Sequence, residues 1–203
     1  MNAKATTAAI APTIGTPYEG GFYSGKVRTG EGLFAVVVAP KAQGDIEGAW
    51  LATYTSVPGA CSYFDSMANT KAMADAGSEL AKTVLALEIN GFTDWCIPAR
   101  DVLELAYRNL KPTTEENYVY RAGDNPSSVP AGYPYTEQSP AQTTVEAFQD
   151  EGAEAFEEGY YWSSTQYSDD DAWDQDFNDG YQLNDLKSYE ARCRAVRLIQ
   201  LST

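Results

Sequence analysis

The chain has 203 residues, 43% hydrophobic and 21% charged, enough to bury one core without disulfide staples. A formal charge of −15 and a pI near 4.2 argue against a phosphate-tracking nucleic-acid binder, which needs basic surface to release counterions. Fourteen tyrosines, four tryptophans and sixteen glycines favour a loop-rich α+β fold.

Residues 1–19 read as an extended arm, because Met1 to Pro17 carries small residues and two prolines with almost nothing to anchor a core. The domain proper is expected over 20–203. From Gly20 the pattern turns to glycine-punctuated strands over Phe22–Val27, Leu33–Ala39 and Glu47–Tyr54, with turns at Gly30 and at Gly44-Asp45. Met73, Ala76, Leu80, Val84 and Leu87 recur at helical steps, predicting one helix over Asn69–Leu87 capped by Asn69 and stopped by Asn90-Gly91. A second helix is predicted over Arg100–Leu110, ended by Lys111-Pro112, with a short strand over Phe92–Pro98 before it.

Residues 113–143 hold too many prolines for a helix or central strand, while Tyr118, Tyr120, Tyr133 and Tyr135 favour a packed connection over a disordered one. A short helix over Val145–Phe156 is expected next. Four strands should follow, over Tyr160–Thr165, Ala172–Phe177, Tyr181–Leu186 and Ala191–Leu201, with Asn178-Asp179-Gly180 as a hairpin turn. In the second, alternation puts Trp173 and Phe177 on one face, expected in the core, and Asp174 and Asp176 on the other, expected in solvent.

Cys61, Cys96 and Cys193 show no metal-ligand spacing and the chain has no histidine, so zinc is not expected. The thiols read as buried and free, with one unassignable disulfide as the alternative. No span approaches 20 apolar residues, so no membrane insertion is expected. Asp169-Asp170-Asp171 offers hard oxygen ligands for calcium, yet lacks calcium-loop spacing and reads first as a solvated turn; no cofactor is expected. Gly20-x-x-x-x-Gly25-Lys26 imitates a phosphate loop, but Val27 stands where Ser or Thr would hold magnesium. Glu151, Glu154, Glu157 and Glu158 read as an exposed helix face rather than acid–base catalysts, and Arg192, Arg194 and Arg197 as partners for nearby carboxylates.

Gly91-Phe92-Thr93-Asp94-Trp95-Cys96-Ile97-Pro98 followed by Glu104-Leu105 resembles the first element of the Lcl C-terminal domain family. Tyr161-Trp162-Ser163-Ser164-Thr165, Ala172-Trp173, Phe177, Gly180, Lys187 and Arg194-Ala195-Val196-Arg197 resemble its closing element, so the likeness spans about half of the chain. The resemblance implies a C-type lectin-like domain, related in fold to formylglycine-generating enzymes, with two helices and short antiparallel strands, whose members bind glycans or other surface ligands, several as trimers. Gly20-Gly21-Phe22-Tyr23 and Val38-Ala39-Pro40-Lys41 look like the version carried by tailed bacteriophages. The reactive cysteines and metal of the enzymatic relatives have no counterpart, so an enzyme is not expected.

The reading is therefore a non-enzymatic virion protein that recognises a host-surface ligand, a glycan first and a protein second. Its candidate ligand-binding residues are Tyr167, Asp169, Asp170, Asp171, Asp174, Asp176, Asn178, Asp179, Tyr181, Leu183, Asn184, Asp185 and Tyr189. Tyrosine supplies contact area at low entropy cost, and Asp, Asn and Ser supply adaptable hydrogen bonds. Several of these residue types are reachable by randomising adenines of an asparagine codon, which fits a retroelement-diversified segment. The arm is expected to dock other virion proteins, and a homo-oligomer, with a trimer favoured, to supply avidity. The alternative is a decoration protein that cements capsid or tail without a host ligand.

Overall fold

A computed structural model describes residues 12–201 and shows a mixed α+β architecture with two sheets and few helices. In chain order come β1 (Pro17–Tyr18), β2 (Gly21–Thr29), β3 (Gly32–Val38), a single turn α1 (Lys41–Gly44) and β4 (Asp45–Ala49). Then follow α2 (Ser66–Asp75), α3 (Glu79–Leu85) and α4 (Arg100–Leu110). The chain closes with β5 (Tyr160–Gln166), β6 (Asp171–Asp176), β7 (Gln182–Leu186), β8 (Glu190–Arg194) and β9 (Val196–Gln200).

One sheet has the order β1-β2-β3-β9 and the other β4-β8-β5-β6-β7. All pairings are antiparallel except β5 with β8, which meet in parallel at Tyr161 and Arg192. Ala195 carries the chain from one sheet to the other: its N–H donates to Gly44 O at 2.8 Å and its carbonyl accepts from Ala39 N at 2.9 Å. β9 then pairs along β3 from Val38–Val196 to Phe34–Gln200.

Two apolar clusters hold the layers together. The first sets Val102, Leu105, Ala106 and Leu110 of α4 against Val27, Val36, Tyr161 and Phe177. The second gathers Trp50, Trp95 and Trp162 with Met73, Val84 and Cys193. Each buried indole keeps its N–H satisfied by a backbone carbonyl, at Ser163, Phe92 and Gly48 respectively.

The α4 helix has the predicted bounds, because its apolar residues recur at helical spacing against one continuous core. The predicted Asn69–Leu87 helix is instead two helices. Gly77, at φ +103°, breaks the run, and Ser78 restarts it by accepting Ala81 N at 3.2 Å. Asp65, rather than Asn69, caps α2, and buried Asn69 donates to Ser62 O at 2.7 Å. The predicted Glu47–Tyr54 strand is shifted, since β4 ends before Trp50 turns into the core. Phe92–Pro98 joins the sheet only through one bridge, Cys96 to Val196. Val145–Phe156 forms just a 3-10 turn at Glu146–Phe148, so its acidic residues are no helix face. There Glu154 pairs with buried Arg194 at 3.0 Å and Glu157 with Lys41 at 2.6 Å.

The expected arm is also corrected. Residues 1–11 lie outside the described residues, but 12–19 belong to the domain: Ile14 packs on the core, Gly15 N donates to Tyr23 O at 2.7 Å, and Pro17 pairs with Phe22. The 113–143 connection is packed. Asn117 donates to Thr136 O at 3.0 Å and Pro140 O at 2.9 Å while accepting from Tyr107 Oη and Lys111 Nζ, and Asn125 donates to Asp101 O at 2.7 Å. All three cysteines are free; Cys96 and Cys193 are buried, but Cys61 is exposed, contrary to expectation. No described helix is long and apolar enough to cross a membrane.

Candidate recognition surface

The ladder β5–β6–β7 has two faces, fixed by register. Paired residues share a face, so Tyr160, Trp162, Ala172, Asp174, Asp176, Leu183 and Asp185 lie on one side. Tyr161, Trp173, Gln175, Gln182 and Asn184 lie on the other, toward α4.

On the α4 side an aromatic patch surrounds one guanidinium. Arg100 opens α4, and its backbone N–H donates to Thr165 Oγ1 at 3.0 Å, which fixes the helix start against β5. Its guanidinium lies 4.9 Å from the ring centre of Trp173 and 5.0 Å from that of Tyr63. Asp101 neutralises it at 3.0 Å. Tyr167 meets Trp173 edge-on at 5.0 Å, and Tyr63 does so at 6.3 Å. Tyr63 and Tyr167 are 43% and 53% exposed, and Trp173 is partly exposed, so these rings stay within reach of a ligand. This corrects the expectation that Trp173 is core; Phe177 is fully buried, stacked on Phe156 at 4.2 Å.

The opposite face overturns a second expectation. Asp174, expected in solvent, is only 3% exposed, between Trp162 and Leu183 on the neighbouring strands. Burial, and then the neighbouring Asp185 carboxylate, push its carboxyl up from 3.8 to about 9. Neither Asp174 oxygen meets a hydrogen-bond donor, and two ionised carboxylates cannot bond each other. With its carboxyl pushed up to about 9, Asp174 keeps its proton at neutral pH, which lowers the cost of burying it beside Asp185. Asp176 is raised as well, chiefly by burial, against the opposing bond from Asn178 N at 2.8 Å.

The Asp169-Asp170-Asp171 turn is organised by Lys187. This fully buried ammonium donates to Asp169 O and Gln166 Oε1, both at 2.7 Å, and to Thr55 O at 2.9 Å, and it sits 5.0 Å from the Trp50 ring centre. Asp169 and Asp170 are exposed, while Asp171 Oδ2 accepts from Ser168 Oγ at 3.0 Å. Among the described residues no three acidic or thiol side chains converge to hold a metal ion, and the Asp169 carbonyl is already taken by a cation.

Asn178, Asp179 and Tyr181 form the β6–β7 tip, tied to the 113–143 connection. Asp179 O accepts from Tyr118 N at 2.8 Å, Asn178 O accepts from Thr113 Oγ1 at 2.9 Å, and the Tyr118 and Tyr181 rings are 4.2 Å apart. Tyr189 is exposed at the β7–β8 turn, beside Ser188, whose Oγ bonds Tyr54 Oη at 2.9 Å. The thirteen predicted residues are thus distributed over both faces and both ends of the ladder. Of these, Tyr167 stands in the aromatic patch, and Asn184 pairs with Trp173 beside it. Tyr63 and Arg100, far away in sequence, were missed because no local period marks residues that come together only across the fold. The chain matches no protein-family model and no curated protein.

Proposed function

We propose that the protein is a non-enzymatic recognition module of C-type lectin-like fold, carried on a phage particle, that binds a host-surface glycan. The observation that carries this reading is the exposed cluster of Tyr63, Tyr167 and Trp173 around Arg100. The apolar face of a sugar ring stacks on an indole or phenol, and the amphipathic aromatics of such a patch also keep a polar edge for hydrogen bonding. Here Asn184 and the tyrosine hydroxyls supply those polar groups. Trp173 is set on β6, while Tyr63, before α2, accepts at its carbonyl from Asp101 N of α4 at 2.9 Å. Tyr167, in the β5–β6 turn, donates its N–H to Asp171 O at 3.0 Å, so the backbones of all three rings are fixed before binding.

Two sheets joined at Ala195, with β9 returning beside β3, support the lectin-like assignment drawn from the Gly91–Leu105 and Tyr161–Arg197 elements. In this reading the N-terminal segment docks other virion proteins, and copies of the chain, a trimer first, supply avidity for weak single sites. The test is binding of purified protein to host cells and to their extracted surface polysaccharide. Saturable binding that Trp173→Ala removes supports the reading. No binding to either, together with loss of physical stability in particles lacking the protein, assigns it instead to decoration.

A further inference from the structure

A cavity of about 380 Å³ opens between the β2–β3 hairpin and the start of α2. Phe34, Met67, Leu198 and Cys96 line it with apolar surface, and Phe64, more than one-third exposed, stands at its side. Glu31, Asp65 and Asp94 are among its lining residues, with Thr29 and Gly30, and no lysine or arginine is. The three acidic residues differ in how far their charge is met. Asp94 is paired with Arg197, and one oxygen of Asp65 accepts Ala68 N at 3.0 Å in capping α2. Glu31 makes its hydrogen bonds among the described residues through its backbone, its N–H to Thr29 Oγ1 at 3.1 Å and its carbonyl from Gln200 Nε2 at 3.0 Å. Among the described residues neither the Glu31 carboxylate nor the second oxygen of Asp65 makes a hydrogen bond or ion pair.

We propose that this cavity binds a small organic monocation, an amine on an aliphatic or aromatic body. The apolar lining selects the body by burying it, and the unneutralised carboxylates select the charge. The site is independent of the glycan reading, because its residues are not those of the aromatic patch.

Calorimetric titration of the full chain with octylamine, octanol and octanoate tests it. Octylamine should saturate at one per chain and bind at least roughly tenfold more tightly than octanoate, with octanol between them. Glu31→Gln, a change at an exposed residue, should weaken octylamine roughly two- to fivefold and leave octanol unchanged. Leu198→Trp, which fills the cavity, should abolish binding of both. In the unaltered chain saturating octylamine should raise the melting midpoint by at least about 2 °C while octanoate leaves it unchanged, a readout that needs no variant to fold. No saturable octylamine binding, equal affinity for octylamine and octanoate, or an unchanged melting midpoint at saturating octylamine would overturn the proposal.

Discussion

Tyr135 and Glu104 meet in the interior, the phenol donating to Glu104 Oε1 at 2.8 Å, although 31 residues separate them. Glu104 is fully buried and also accepts from Arg108 Nε at 2.8 Å and from Asn125. The same phenol oxygen accepts from Gln175 Nε2 of β6 at 3.2 Å. One residue of the long connection thus bonds both α4 and the sheet, and this polar junction fastens residues 113–143 over the core.

Tyr135→Phe should therefore cost about 1–3 kcal/mol, because Glu104 loses a donor and Gln175 an acceptor in a site closed to water. Urea unfolding measures it. A loss below about 0.5 kcal/mol would mean that Asn117 and Asn125 hold the connection without this bond.

Asp174 makes stability depend on pH in a stated direction. Its folded-state carboxyl titrates at about 9 against an ordinary 3.8, so between those values the folded chain binds the proton that the unfolded chain has released. The folded state therefore weakens as pH rises from about 4 to about 9. Asp101, Glu104 and Asp176 are raised too, chiefly by burial, and push the same way. Asp174→Asn, which is close in shape and carries no titrating group, should stabilise the protein by about 1–3 kcal/mol at pH 8 and change little at pH 4. Urea midpoints of both proteins at the two pH values decide it; equal pH slopes would place Asp174 in contact with solvent.

Lys187→Met should cost roughly 2–4 kcal/mol, since Asp169 O, Gln166 Oε1 and Thr55 O would lose one shared donor. Because the ammonium already occupies the turn, millimolar calcium should shift the melting midpoint of the unaltered protein by less than about 1 °C. A rise of several degrees would show that the exposed Asp169 and Asp170 carboxylates gather an ion.

The sequence made some of this legible. Helix α4 was readable because its apolar residues repeat against one core, and the packed connection because it carries aromatic residues, of which Tyr135 and Tyr118 pack on that core while Tyr120 and Tyr133 stay exposed. The split between α2 and α3 hinged on Gly77, which a periodic pattern passes over when apolar spacing continues across it. Alternation correctly put Trp173 opposite Asp174, but it says nothing of what covers either face. Asp174 is buried between strands that place Trp162 and Leu183 beside it, while the indole opens onto Arg100 and Tyr63. The aromatic patch was illegible for a related reason: it joins residues 63, 100, 167 and 173, which share no local pattern.

In the proposed function this patch reads a ligand. The direct measurement is titration of the protein with host-surface polysaccharide, comparing the unaltered chain with Trp173→Ala and Tyr167→Ala, each shown folded by an unchanged far-ultraviolet spectrum. Loss of a stacking ring should weaken binding at least roughly tenfold in each variant, as expected for removal of a central aromatic contact. Affinity unchanged in both, with binding retained, would contradict the account and move the contact surface elsewhere.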